Sequence, residues 1–155
     1  MIEDGNEVED IIIIGLHLKS QQKYVHNHMA AVATLLGFLS DSALREASGL
    51  PEVRKEKDVV ILGDLNDSAH KRHGFKYLFD YLEGVDYVHL HPDSGTYPLT
   101  RVGGSQIDHI FVSSGLEDII NGDSFKVHYK AGISNSKYRK DYSDHYPVTV
   151  NLVFD

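Results

Sequence analysis

Four short stretches of this chain set an acid or a histidine directly against an apolar run. They are Gly15-Leu16-His17-Leu18-Lys19-Ser20, Gly63-Asp64-Leu65-Asn66, Gln106-Ile107-Asp108-His109-Ile110 and Tyr142-Ser143-Asp144-His145-Tyr146-Pro147. Each alone is an ordinary place for a strand to reach the surface, where Gly, Asn and Asp form turns. Residues i and i+2 of a strand point the same way, so Asp64 and Asn66 could face one point together. Asp144 and His145 precede a final apolar run, where a loop can present both. Brought to one sheet edge, these ends would line a cleft with the carboxylates of Asp64, Asp108 and Asp144, the amide of Asn66 and the imidazoles of His17 and His145. Such oxygen donors suit Mg2+, Mn2+ or Ca2+. Histidine beside them can neutralise phosphate or move a proton. Phosphodiester hydrolysis requires an activated water, charge relief on the non-bridging oxygens and help for the leaving oxygen; this set could supply all three.

The elements that must position these groups are legible as apolar runs. Residues 11–14 are four isoleucines, continued by Leu16 and Leu18, and predict a buried strand ending near His17. Val25, Met29, Val32, Leu36 and Leu39 follow at helical spacing, giving a one-faced helix over 21–39. A short helix is expected around 43–47, a second buried strand over 58–62, a helix marked by Phe75, Leu78, Phe79 and Leu82, and a strand over 85–90. A Gly/Pro/Ser/Thr-rich loop covers 91–104, a central strand 107–112, and further strands 125–129 and 148–154. Residues 130–143 read as a polar, basic and mobile connection. Strands alternate with helices early and predominate later, which predicts an α/β layer with helices covering a mostly β core.

Composition bounds the answer. At 155 residues the chain is one domain's worth. No apolar run approaches the roughly 20 residues of a membrane span. The first ten residues form an acidic lead-in unlike a signal peptide, so the chain reads as soluble, with the compartment left open. The absence of cysteine removes disulfides, thiolate zinc sites and a cysteine nucleophile. A net charge of -8 argues against wrapping a long duplex by bulk electrostatics, but not against a site that meets phosphate through divalent cations.

In this order the segments resemble the endonuclease/exonuclease/phosphatase (DNase I-like) superfamily. Its later motifs are a strand into H-L, then G-D-x-N, I-D-h-I/F and S-D-H-x-P. They are matched by Leu16-His17-Leu18, Gly63-Asp64-Leu65-Asn66, Ile107-Asp108-His109-Ile110-Phe111 and Ser143-Asp144-His145-Tyr146-Pro147. The resemblance implies a DNase I-like αββα four-layer sandwich, present over 1–155 as roughly its C-terminal half. The family's earlier Asn and metal-binding Glu motifs have no counterpart in this chain. It implies that Asp64 orients or deprotonates the attacking water, and that Asn66 holds the scissile phosphate close to metal. Asp144 is implied as a metal ligand, His145 as the phosphate contact, Asp108 as the group that fixes its imidazole, and His17 as an aid to phosphate or leaving oxygen.

The function expected is divalent-metal-dependent phosphodiester hydrolysis, nuclease-like in view of the His17-Leu18-Lys19-Ser20 form, with weak or absent turnover in this chain alone. An inositol-phosphate or phospholipid phosphoesterase is the alternative enzyme, and a non-catalytic interaction module the alternative of another class. Mg2+ is the expected cofactor, with Mn2+ or Ca2+ as substitutes. Homodimerisation or association through an exposed sheet face is expected. Lys137, Arg139 and Lys140, just before Ser143, and Arg101 in the loop before Asp108 are candidate substrate contacts. His109 reads as a packed core histidine, and His26 and His28 as structural or solvent-facing. His89 and His91 read as a zinc-like pair lacking evident third and fourth ligands, and Asp67 as a turn former.

Overall fold

The computed structural model of the chain describes residues 2–3, 6–7, 11–20, 22–41, 43, 47, 58–68, 76–91, 98–120, 124–129 and 132–153. Eight strands are defined among them: β1 (Ile2–Glu3), β2 (Asn6–Glu7), β3 (Ile12–His17), β4 (Val59–Asp64), β5 (Tyr87–Leu90), β6 (Asp108–Ser113), β7 (Lys126–Val127) and β8 (Val148–Thr149). The helices are α1 (Val25–Ser40), α2 (Lys76–Glu83) and α3 (Asn135–Asp141), with 3-10 turns at Gln22–Tyr24 and Ser114–Ile119. Of the short helix expected around 43–47, only Ala43 and Ala47 are described, both helical. Phe75, Phe154 and most of the acidic lead-in lie outside the described residues.

The central sheet has the order β3-β4-β6-β5. β3 and β4 are parallel, while β6 runs antiparallel to both β4 and β5. Parallel neighbours require a crossover, and the segment carrying α1 supplies it. Alternation along the inner strands sends side chains to two cores. Val59, Ile61 and Phe111 join Val32 of α1 and Phe79 and Leu82 of α2 on one face. Val60, Ile110 and Val112 join Leu116, Phe125, Val127 and Val148 on the other. A sheet buried on both faces needs continuous apolar strands, which is why 59–62 and 110–112 carry no polar residue. The result is a mixed α/β architecture in layers: helices, the four-stranded sheet, and the β7-β8 ribbon.

The strands expected over 125–129 and 148–154 are limited, among the described residues, to Lys126–Val127 and Val148–Thr149, and three further expectations are corrected. β4 runs two residues beyond the expected 58–62, because Gly63 carries the backbone at φ 131 through a close approach to β3. A Cβ there would overlap the Leu16 carbonyl oxygen. β5 starts at Tyr87 rather than Val85, since Asp86 adopts φ 65 in a turn. The stretch read as mobile contains α3, capped by Ser134, whose Oγ accepts the Lys137 amide at 3.3 Å.

Gly63→Ala is therefore expected to destabilise the fold by at least the roughly 1–3 kcal/mol of a forbidden backbone conformation. It should also displace Asp64, the next residue. Urea denaturation checks the first effect; a wild-type midpoint in the variant would contradict it.

Candidate functional site

The register of the sheet brings three of the four sequence segments into one row. His17 pairs with Asp64 across β3 and β4, and Asp64 pairs with Asp108 across β4 and β6. All three lie at the same edge, the C-terminal end of the parallel strands, where open α/β sheets place their ligands. The fourth segment is carried over this edge by a short antiparallel pairing. Val102 N–H donates to the Asp144 carbonyl at 2.9 Å and Tyr146 N–H to that of Thr100 at 2.7 Å, with Arg101 bridged to His145.

The contacts follow from that placement. Asp108 accepts the His145 Nδ1 proton, its oxygens lying 2.8 and 3.0 Å away. His145 Nε2 is then left facing Asp64 Oδ2 at 3.8 Å. His17 Nε2 approaches the same oxygen at 3.7 Å; this side chain is 80% exposed, so the pair adds little stability. The other Asp64 oxygen accepts the Asn66 amide at 2.8 Å. Burial raises the Asp64 pKa above the ordinary carboxylate range; the Asn66 hydrogen bond opposes this and the Asp108 charge adds to it.

Asp64, Asp108 and His145 each offer a ligand atom within 4.8 Å of the others, a group that could hold a metal ion. Asp144 is not in it. Asp144 is exposed just before His145, and the second acid of this group is Asp108. Asn66 does not extend β4 as the i, i+2 argument expected. It turns at φ 50, and its Nδ2 donates to the Leu18 carbonyl at 2.7 Å, leaving its side-chain oxygen as the end able to meet a cation or phosphate.

The basic residues divide by partner. Lys137 is paired with Asp141 one turn on, and the Arg139 guanidinium donates to the Val102 carbonyl, tying α3 to the loop that delivers His145. Arg101 and Lys140 are exposed.

Two positioning features escaped the sequence, the contacts of Thr100 and the pairing of His89 with His109, whose reading as a packed core histidine holds at 1% exposure. Thr100 is fully buried, and its Oγ1 accepts the amides of Ile107 and Asp108 at 2.9 and 3.0 Å, fixing the start of β6. Behind the site runs a buried histidine pair. His109 Nε2 donates to the Asp67 carbonyl at 2.8 Å, so its Nδ1 must accept, and His89 Nε2 donates to it at 3.1 Å. His89 is thus committed to His109, and His91 lies beyond the end of β5. Asp67 is more than a turn former. Its side chain is buried, Ser68 N–H donates to one oxygen at 2.7 Å, and burial pushes its carboxyl up to about 7. His28 is buried too, its Nε2 2.6 Å from the Lys19 carbonyl, whereas His26 is exposed.

Burial, aided by the neighbouring histidine, lowers His89 to about 3; burial lowers His109 to about 4 despite the Asp67 carbonyl. Both must stay neutral in the fold, while the unfolded chain takes up protons near pH 6.5. Their contribution is present above pH 6.5 and lost as pH falls toward 4, at about 2 kcal/mol per histidine by pH 5. Denaturation midpoints at pH 7.5 and 5 check this, and a smaller drop is expected for His89→Phe.

Fold and site together define an α/β chain with a carboxylate–histidine group at one edge of a mixed sheet. No helix among the described residues is long and apolar enough to cross a membrane. No protein-family model matches the chain, and no curated protein matches it. Among solved structures it is similar to the human Nocturnin catalytic domain with bound sulfate anion. Identity is 15% and the TM-score 0.47, and the match covers 90% of this chain and 46% of that one. The chain spans less than half the length of that domain.

Proposed function

We propose that the chain carries the hydrolytic edge of a divalent-cation-dependent phosphodiesterase domain of the endonuclease/exonuclease/phosphatase type, with nucleic acid as substrate. The observation that carries this reading is the placement of Asp64 Oδ2 between two imidazole Nε2 atoms, at 3.7 and 3.8 Å, with Asp108 holding one ring from behind. Both nitrogens of His145 face carboxylate oxygens, an arrangement for a ring that donates rather than ligates. A cation would then be held by the carboxylates of Asp64 and Asp108 and the side-chain oxygen of Asn66, and when bound would relieve charge on the phosphate oxygens. Mg2+ usually keeps several waters beside one or two carboxylates, so this donor set would hold it through few protein bonds, and weak binding and slow turnover are expected.

The residues of the chain supply the proton transfers. Asp64 Oδ2, made more basic by burial, accepts a proton from water as its oxygen bonds to phosphorus. His145, oriented by Asp108, donates a hydrogen bond to a non-bridging oxygen as charge builds there. The phosphorus–oxygen bond to the leaving group breaks, and the exposed His17 is placed to give that oxygen its proton.

Assays on a single-stranded oligonucleotide, plasmid DNA, a phosphoinositide and sphingomyelin, each with Mg2+, Mn2+ or chelator, test the reading. Cation-dependent cleavage of the nucleic acids is expected. Turnover of only the lipid substrates would replace the assigned substrate class, and no turnover of any would remove the hydrolase reading.

A further inference from the structure

Next to the proposed site stands an aromatic row that the hydrolytic chemistry does not use. Tyr129, Tyr146, Tyr138 and Tyr142 follow one another with ring centroids 5.1, 5.2 and 5.4 Å apart. The two inner rings have a structural task. α3 has no fully buried residue of its own, and Tyr138 against the buried Tyr146 is what seats it. The ends each touch one inner ring and otherwise face solvent: Tyr142 is 67% and Tyr129 54% exposed. Tyr142 is three residues from His145, and Tyr146 is its neighbour. Three residues span at most about 11 Å of chain, close enough for a base beside the scissile phosphate to reach the Tyr142 ring.

The charge around this row differs from that of the whole. Between 124 and 146, the stretch that holds all four rings, the chain has Lys126, Lys130, Lys137, Arg139 and Lys140 against Asp141 and Asp144, a local excess of three positive charges in a protein of net charge -8, with Lys137 paired to Asp141. Exposed rings flanked by cations are what unpaired nucleic acid recognises: bases stack on the rings while the cations follow the backbone. A duplex offers no free base face and would meet the acidic remainder of the molecule.

Resting on the phosphodiesterase reading above, we propose that Tyr142 and Tyr129 form a stacking platform that selects single-stranded nucleic acid and feeds it to the Asp64–His145 edge. The test uses the full chain in chelator, so that binding is read without turnover, with fluorescein-labelled oligothymidine followed by anisotropy. Tyr142→Ala is expected to weaken binding about five- to 150-fold, the worth of one stacked base. Tyr129→Ala should act in the same direction, Tyr142→Phe should bind like wild type, and a duplex of equal length should bind more weakly. Both exposed tyrosines can be truncated without opening the core, which circular dichroism verifies.

Equal binding by wild type and Tyr142→Ala would overturn the platform. So would Tyr142-dependent binding to phosphatidylinositol-phosphate vesicles with none to the oligonucleotide, which would make this a lipid-facing surface. The two readings fail separately. Tyr142-dependent binding without cation-dependent cleavage leaves the platform and removes the hydrolase. Cleavage with an unchanged KM in Tyr142→Ala does the reverse.

Discussion

Asp64→Asn is expected to lower phosphodiester turnover by on the order of 10^2- to 10^4-fold while leaving the fold at least as stable as wild type. The substitution is nearly isosteric. An asparagine oxygen can still accept the Asn66 amide that now bonds Asp64 Oδ1 at 2.8 Å, so the turn after β4 should persist. What is lost is the anionic oxygen facing His17 and His145, and with it the proposed proton acceptor and cation ligand. Stability should move the other way. Asp64 is half-buried beside Asp108, and both burial and that charge disfavour its ionised form. Removing the charge relieves this cost, the usual trade between a strained site and a stable fold. Turnover and denaturation midpoint measured on one preparation check both halves. A variant that lost stability along with activity would point to a structural role for Asp64.

The second large effect concerns the His145–Asp108 pair. Asp108→Asn and His145→Gln are each expected to reduce kcat by on the order of 10^2- to 10^3-fold, with little change in KM. The reason is orientation: Asp108 touches His145 Nδ1 through both oxygens and so aims Nε2 at Asp64 and the proposed hydrolytic edge. An amide at 108 can present its NH2 to the ring and turn it away. Because the two residues act as one unit, the double variant should fall no further than the worse single one. Multiplying losses would show that Asp108 acts separately.

The apolar runs carried most of the fold, since period-2 and period-3.6 patterns report burial directly. What they could not report was irregular backbone. Gly63 looked like the end of a strand because glycine is a turn former. Only the close approach of Leu16 shows that β4 continues through it, bringing Asp64 into register with His17 and Asp108. α3 was illegible because its seven residues carry no apolar stripe; a Ser134 cap, ring contacts and one arginine hold it.

The site was legible as a set of segments but not as a geometry. Spacing pointed to Asp64 and Asn66 sharing a strand face, whereas Asn66 turns into the left-handed region and bonds Leu18. The resemblance implies Asp144 as a metal ligand; what the sequence does not show is that the paired loop uses its carbonyl and leaves the residue exposed just before His145. Long-range partners such as Thr100 with Asp108, or His89 with His109, leave no local pattern to read.

Cation-dependent cleavage of a fluorogenic single-stranded oligonucleotide, measured with wild type and Asp64→Asn in parallel, tests the central claim most directly. Slow cleavage is predicted with Mn2+ or Mg2+, abolished by chelator and reduced at least on the order of 10^2-fold by the substitution. Cleavage that survived chelator, or that Asp64→Asn left unchanged, would contradict the assignment of this sheet edge as the hydrolytic site.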